Sequence, residues 1–206
     1  MLIHTREDVK IAYEVDGTGP PVILIQGVGV PGCGWTPQVD GLSHEFTFLR
    51  NDNRGVGGST LGKRLSIQKM AEDVQSIMDH LGWESAHLVG HSMGGVITQQ
   101  LALTIPERVR SLALLCTFAR GLDGVRPTCA MMRAVIGGRI GTRAMRRAAW
   151  LRLILTQAEY STVDLKKESI TLGNYFGRDL AEQPLVLIQQ ALAMAVSYTH
   201  LTLPTT

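Results

Sequence analysis

The chain has 206 residues, of which 45% are apolar, and 20 Lys and Arg against 18 Asp and Glu leave a net charge of +2. This near-neutral balance gives no electrostatic reason to expect nucleic acid or an anionic membrane as a partner, so we expect a small-molecule substrate. No apolar run approaches the length that spans a bilayer, and the charged first residues are unlike a signal peptide. The three cysteines, Cys33, Cys116 and Cys129, share no short spacing typical of a disulfide framework or a zinc site. We therefore expect a cytoplasmic protein without a metal, and the sequence carries no signal for an oligomeric state.

Short apolar strands alternate with helical patterns along the first half of the chain. Residues 10–15 alternate weakly before a Gly/Pro turn and are predicted as an edge strand. Continuous apolar runs at 22–25, 46–49, 86–89 and 112–116 predict strands covered on both faces. Helical spacing predicts a helix over 67–81, with Ser66 as its N-cap and Gly82 after its end, and a second helix over 96–104. This alternation predicts an α/β fold with a doubly wound, mostly parallel sheet.

The chain changes character from Arg120 onward, where a sequence without strand runs looks helical and is rich in arginine. Its arginines are Arg120, Arg126, Arg133, Arg139, Arg143, Arg146, Arg147 and Arg152. Over that span only Asp123 opposes them. We interpret them as a solvated face of small helices rather than as an anion site.

The stretch Gly90-His91-Ser92-Met93-Gly94-Gly95 follows an apolar run and precedes a helical pattern. This is the sequence form of a nucleophile elbow, a sharp strand-to-helix turn that exposes a serine. A serine hydroxyl is a weak nucleophile, so it needs a base within reach and backbone N–H groups that meet the developing oxyanion. The flanking Gly90 and Gly94 keep the turn free of Cβ atoms. The pattern therefore predicts Ser92 as a catalytic nucleophile.

Together with two upstream motifs, the elbow resembles the α/β-hydrolase family. Gln26-Gly27-Val28-Gly29 looks like the oxyanion loop of that family, and residues 52–59 match its Asp-x-Arg-Gly-x-Gly-x-Ser turn. The resemblance implies a catalytic core over residues 1–118 and an incomplete helical cap over residues 119–195. It also implies an oxyanion hole formed by the backbone N–H groups of Val28 and Met93. The family usually has His at the position of Gln26, and we expect Asp52 and Arg54 to brace the turn rather than to perform chemistry.

The resemblance also implies an acid and then a histidine after Ser92 in chain order. Only His200 follows Ser92, and it lies in residues 196–206, which resemble the read-through of a transposon adaptor used to prepare sequencing libraries. We expect this tail to be an artefact, so the last strands of the sheet, the acid and the base are expected beyond residue 195. Asp123 is a weaker candidate for a relocated acid. The remaining histidines are read as structural: His4, His44, His80, His87 and His91. The fragment is thus expected to be nearly inactive and to expose its strand at 112–116.

The function that the resemblance implies is serine hydrolysis of a small carboxylic ester, lactone or thioester through an acyl-enzyme on Ser92, without a cofactor. Cofactor-free haloperoxidase-type and carbon–carbon hydrolase activities use the same serine. A non-enzymatic ligand receptor on the same fold is one alternative. A dinucleotide-binding oxidoreductase is another, because residues 27–32 match Gly-x-Gly-x-x-Gly and Asp52 follows them. Pro31, Gly32 and Gly34 disfavour the helix that this fingerprint requires.

Overall fold

A mixed sheet organises the computed structural model, which describes residues 1–6, 9–119, 133, 136–184 and 186–197. In that part of the chain, six strands pair in the order β1-β2-β4-β3-β5-β6. Their bounds are β1 Leu2–Arg6, β2 Val9–Gly17, β3 Pro21–Ile25, β4 Thr47–Asn51, β5 Ala86–His91 and β6 Val109–Leu115. Strands β4, β3, β5 and β6 run parallel, whereas β1 and β2 join antiparallel. The predicted mostly parallel α/β sheet is confirmed.

The prediction that residues 10–15 form an edge strand is wrong. Strand β1 pairs on the outer side of β2, so β2 is the second strand of the sheet. The weak alternation of the sequence does not mark an edge, because Ile11, Ala12 and Tyr13 are buried one after another, as expected for a strand inside the sheet. Strand β1 is not predicted from the sequence, because the N-terminal residues are charged. Its Leu2 and Ile3 side chains are exposed, as on a sheet edge.

Helices cover both faces of the sheet. The helices near it are α1 Thr36–Leu42, α2 Ile67–His80 and α3 Met93–Thr104. The predicted cap of α2 is confirmed, because Ser66 Oγ accepts a hydrogen bond from the Lys69 N–H at 3.1 Å and Gly82 adopts a φ of +68° after the helix. Helix α3 starts at Met93, three residues before the predicted start at Val96, because it follows the elbow directly.

The period of two along β3 sends alternate side chains to two cores. Ile23 and Ile25 join the larger cluster, which includes buried residues of α2 and α3. Val22 and Leu24 join a smaller cluster with Trp35 and others on the opposite face. Strand β3 is therefore buried on both faces, as its continuous apolar run predicts, and its carboxyl end is held rigidly at the centre of the sheet.

Strand β6 forms the other edge of the described sheet. Leu112, Leu114 and Leu115 are 36%, 43% and 42% exposed. The expectation that the strand at 112–116 would be an exposed edge is confirmed for the residues that the structure describes. The expectation from its continuous apolar run that it would be covered on both faces is wrong, because residues 110–115 are all exposed. No helix among those residues is both long and apolar enough to cross a membrane.

The chain divides into two compact units. The first comprises Met1–Val125 together with Val186–Thr206, and the second comprises Arg126–Leu185. The second unit contains α4 Arg143–Ile154, α5 Gln157–Thr162 and α6 Leu165–Tyr175. Helix α7, Val186–Ser197, belongs to the first unit, although most of it lies within residues 119–195, where the cap is expected.

Two arginines of the second unit form ion pairs on a face that is otherwise solvated, as interpreted from the sequence, since Arg143 is 59% exposed and Arg133, Arg139 and Arg152 are also exposed. Arg147 Nε donates to Asp179 Oδ1 at 2.8 Å, and Arg143 Nε donates to Asp179 Oδ2 at 2.6 Å. The Asp179 side chain is only 11% exposed. The hydrogen bond from Arg147, helped by the N–H of Ala181 and by Arg143, holds the pKa of this carboxyl well below its usual range. Arg120, Arg126, Asp123, Cys129 and His200 lie outside the described residues.

Candidate active site

Ser92 occupies a strained turn between β5 and α3. Its φ of +53° and ψ of −118° are unusual for a residue with a side chain, and the strand ends at His91 while the helix begins at Met93. The Ser92 N–H donates to the Leu115 carbonyl at 2.9 Å, and its carbonyl accepts from Thr117 Oγ1 at 2.7 Å. Strand β6 and the residues after it therefore hold the backbone of Ser92 in the geometry of a nucleophile elbow.

The glycines of the elbow are sites of close backbone approach. A Cβ on Gly90 would lie 2.5 Å from the Gly94 carbonyl oxygen, and a Cβ on Gly94 would overlap the carbonyl oxygen of Ile25. A Cβ on Gly27 would lie 3.0 Å from Ser92 Cβ. The loop after β3 and the elbow thus approach one another at a distance that only glycine allows at these positions.

Two backbone N–H groups at this junction are suited to an oxyanion. Met93 is the first residue of α3, so its N–H has no acceptor within the helix and lies at the positive end of the helix dipole. In the loop after β3, the Gly27 N–H donates to Gln26 Oε1 at 3.3 Å, the Gly29 N–H donates to Gln190 Oε1 at 2.7 Å, and the Val30 N–H donates to the Gly27 carbonyl at 3.3 Å. No described residue accepts a hydrogen bond from the Val28 N–H between them.

Gln26 stands where the family usually has His, and the structure shows what it does. The Gln26 side chain is 7% exposed, and its Oε1 accepts from the adjacent Gly27 N–H. The backbone carbonyl of Gln26 accepts from Asn53 Nδ2 at 2.9 Å. The Gln26 side chain thus bonds within its own loop, and the buried Asn53 side-chain amide ties that loop to the turn after β4.

Asp52 braces two loops, as the sequence analysis predicts. Its Oδ1 accepts from the Gly32 N–H at 2.7 Å and its Oδ2 accepts from the Gly58 N–H at 2.8 Å. Because both oxygens are engaged, this carboxylate is not presented to a ribose. Residues Gly32–Trp35 form a short 3₁₀ turn rather than the start of an α-helix, so the dinucleotide fingerprint lacks its helix.

Arg54 braces the same turn through a buried ion pair. Its Nε and Nη2 donate to the two carboxylate oxygens of Asp73 on α2 at 2.6 and 2.7 Å, and its Nη1 donates to the Arg64 carbonyl at 2.9 Å. The two side chains are 1% and 2% exposed. Sequence reasoning did not single out Asp73, whose position within a helix gives no sign of its partner.

No histidine in the described part of the chain forms a hydrogen bond with Ser92. His4 contacts Ser76 at 2.6 Å and stacks near the ring of His80, and His87 contacts Ser111 at 2.8 Å. His91 directly precedes Ser92, and burial lowers the pKa of its imidazole. The structural reading of these histidines agrees with their contacts, and the candidate site comprises the Ser92 side chain and the backbone N–H groups of Val28 and Met93.

Comparison with known proteins identifies the fold family. The family model described as alpha/beta hydrolase fold matches residues 20–136, which include the loop after β3, the turn after β4 and the elbow. The chain belongs to the α/β-hydrolase family. Among curated relatives, the candidate carbamate hydrolase RutD of Azorhizobium caulinodans is 38% identical over 143 residues, covering 68% of this chain and 53% of that protein. The candidate non-heme bromoperoxidase BpoC of Mycobacterium tuberculosis is 37% identical over 120 residues, covering 57% of this chain and 45% of that protein. This α/β-hydrolase chain spans about half the length of these relatives.

Solved structures of the family share the fold. The enol-lactonase from Burkholderia xenovorans LB400 has a TM-score of 0.68 at 27% identity, covering 95% of this chain and 73% of that chain. The crystal structure of BpoC has a TM-score of 0.74 at 26% identity, with coverages of 95% and 73%. The thermophilic esterase from Thermogutta terrifontis has a TM-score of 0.68 at 26% identity, with coverages of 91% and 68%.

Proposed function

We propose that Ser92 is the nucleophile of a serine hydrolase that cleaves a small carboxylic ester, lactone or thioester. The observation that carries this proposal is the positive φ of Ser92 on a strand-to-helix turn that lies against the loop containing Val28. A serine is held in such a conformation at a cost in backbone strain, and the hydrogen bonds to Leu115 and Thr117 maintain it. A flexible Gly/Ser loop would need neither the strained backbone conformation nor the hydrogen bonds that maintain it.

The chemistry follows from the positions of these groups. Ser92 Oγ attacks the substrate carbonyl carbon, the carbonyl π electrons move to oxygen, and the N–H groups of Val28 and Met93 donate to the resulting oxyanion. Collapse of the tetrahedral intermediate expels the alcohol or thiol as it receives a proton, and leaves an acyl-enzyme on Ser92. Water then attacks the acyl carbonyl, the bond from that carbon to Ser92 Oγ breaks, and the carboxylic acid leaves as Oγ regains its proton. We place the histidine that moves these protons, and the acid that orients it, beyond residue 195.

The relatives support this substrate class without defining the substrate. An enol-lactonase and an esterase act on carbonyl carbons bonded to oxygen, and RutD is named for a carbamate, which is also such a carbonyl. All three reactions pass through a tetrahedral oxyanion. BpoC is named for a different reaction, so a haloperoxidase-type activity is the main competing assignment within the family.

Turnover of p-nitrophenyl acetate by the 206-residue chain and by its Ser92→Ala variant tests the proposal. Loss of a triad member costs about four to six orders of magnitude in turnover, so we expect the two to hydrolyse the ester at similarly low rates. Rapid hydrolysis that Ser92→Ala abolishes would overturn the placement of the base beyond residue 195.

Resequencing the source DNA across codon 195 supplies the second half of the test. If the reading frame continues, the longer protein is expected to hydrolyse the ester and to be labelled on Ser92 by a fluorophosphonate, and Ser92→Ala abolishes both. Ligand binding without labelling or turnover would instead identify a receptor on this fold.

A further inference from the structure

Gln190 is a fully buried amide whose two ends bond to two different loops. Its side chain is 0% exposed, its Oε1 accepts from the Gly29 N–H at 2.7 Å, and its Nε2 donates to the Arg54 carbonyl at 3.0 Å. It lies on α7, and the neighbouring helix residue Val186 packs so closely on Gly55 that a Cβ there would lie 2.6 Å from Val186 Cγ2. The amide therefore bridges the loop after β3 and the turn after β4 without any contact with water.

The bond to Gly29 fixes the peptide next to the proposed oxyanion donor. The Val28 N–H belongs to the same peptide unit as the Gly27 carbonyl, which accepts from the Val30 N–H. The following peptide unit carries the Gly29 N–H, which Gln190 holds, and Gly29 itself has a φ of +68°. Val28 thus lies between two anchored peptide planes, and its own N–H is left available.

The other end of the amide is anchored as firmly. The Arg54 carbonyl belongs to a residue whose guanidinium forms the buried pair with Asp73. A donor that must meet an oxyanion has to be held within a few tenths of an ångström, and a side chain fixed at both ends can transmit that rigidity. Asp52 performs the corresponding task further along the same loop, at Gly32.

We propose that Gln190 is a positioning residue that holds the Val28 N–H in the oxyanion hole. The proposal rests on the proposed function, because it assigns Gln190 a part in the site of Ser92. Its effect is specific to reactions that develop negative charge on a carbonyl oxygen, and this specificity can be measured without the histidine base.

The test uses the 206-residue chain with Ser92→Cys, since a thiol ionises without a neighbouring base. The S92C thiolate attacks p-nitrophenyl acetate, forms an acetyl thioester and releases p-nitrophenolate through a tetrahedral oxyanion. The same thiolate displaces iodide from iodoacetamide without forming an oxyanion. Peptide mass spectrometry resolves this site from the other cysteines, and the ratio of the two rates cancels thiol ionisation and exposure.

Adding Gln190→Met removes both hydrogen bonds at similar side-chain volume. We expect the acylation rate of the S92C thiol to fall by about ten- to a hundredfold, because a displaced oxyanion donor acts only on that reaction. Alkylation by iodoacetamide is expected to be unchanged. Gln189→Met on the same helix is the matched control, because Gln189 is exposed, and it should change neither rate.

The outcomes separate this inference from the function on which it rests. If the acylation-to-alkylation ratio of the S92C parent is no higher than that of glutathione, no oxyanion hole operates, and the proposed function fails together with the positioning role. If the parent ratio is high and Gln190→Met leaves it unchanged, only the role of Gln190 is overturned. Equal losses in both rates would show that Gln190 is merely structural.

A second variant, Gln190→Glu, covers the case in which Gln190→Met does not fold. In its protonated form the introduced carboxyl group offers one acceptor and one O–H donor and so reproduces both bonds, whereas the ionised carboxylate lacks the donor. The rate ratio of this variant should rise toward the parent value as pH falls. A ratio that stays low and flat with pH would contradict the proposal.

Discussion

Breaking the buried Arg54–Asp73 pair from either side is expected to destabilise the first unit strongly. Both side chains are almost wholly buried, at 1% and 2% exposure, and three charge-assisted hydrogen bonds hold the guanidinium. Removing one partner takes the opposite charge away from the other in the interior, which costs about 3–5 kcal/mol in the free energy of unfolding. For a chain of this size each kcal/mol lowers Tm by about 2–4 °C, so Arg54→Met or Asp73→Val should each lower Tm by about 10 °C.

The double variant distinguishes this reasoning from a simple loss of contacts. With both charges gone, neither side chain has lost an opposite charge that it needs, and a buried pair replaced by apolar groups is often close to neutral. We therefore expect the double variant to be destabilised by about 3 kcal/mol less than the sum of the two single variants. Urea unfolding followed by circular dichroism at 222 nm measures all four corners of the cycle. If the free-energy changes of the two single variants add up to that of the double variant, the account is refuted. Removing one charge would then impose no extra cost on the other.

Three further predictions concern the elbow, the sheet edge and the second unit. Gly94→Ala should lower the urea midpoint of unfolding, because the added Cβ overlaps a backbone carbonyl of β3. Gly41→Ala is the control and should raise the midpoint, because its Cβ meets nothing within 4 Å. A lower midpoint for Gly41→Ala than for Gly94→Ala would contradict the close approach at Gly94. The chain should self-associate with rising concentration in sedimentation velocity, and Leu114→Lys on the exposed β6 edge should suppress this; a wild-type chain that stays monomeric would refute it. Asp179→Asn should lower the thermal midpoint of helix unfolding. Since pairing with Arg147 depresses the pKa of Asp179, its stabilisation is present above the ordinary carboxyl pKa and is lost as pH falls, so the gap from wild type should be constant near neutral pH and shrink below about pH 4. A gap that does not change with pH would contradict the pairing.

The sequence predicts those parts of the fold that local patterns determine. The run at 22–25 is apolar at every position because β3 lies between two cores, and this is visible without knowing its neighbours. The cap at Ser66 and the helix end at Gly82 depend on residues within one turn of each other, so their prediction is confirmed. The elbow also depends on a short segment, in which the backbone geometry of Ser92 requires glycines nearby.

Strand β1 and the pairing of Asp179 show where local patterns fail. The residues of β1 lie at the edge of the sheet, so the strand lacks the continuous apolar run that marks a buried one. The arginines of α4 look unopposed over residues 120–152 because their carboxylate partner comes 32 and 36 residues later in the chain. Charge counted along a window therefore misses carboxylate partners that lie outside the window.

The burial of Gln190 is even harder to predict from local sequence patterns. Two adjacent glutamines interrupt the apolar sequence of α7, and their local surroundings give no reason to expect one exposed and the other wholly buried. The difference arises 161 residues away, where the Gly29 N–H needs an acceptor in a region closed to water. A buried polar side chain is costly unless both its ends are bonded, so a glutamine that satisfies two loops at once is constrained far more tightly than its helix position suggests. For this chain the short motifs indicate the nucleophile, whereas the residues that hold the surrounding backbone become visible only when the long-range pairing is known.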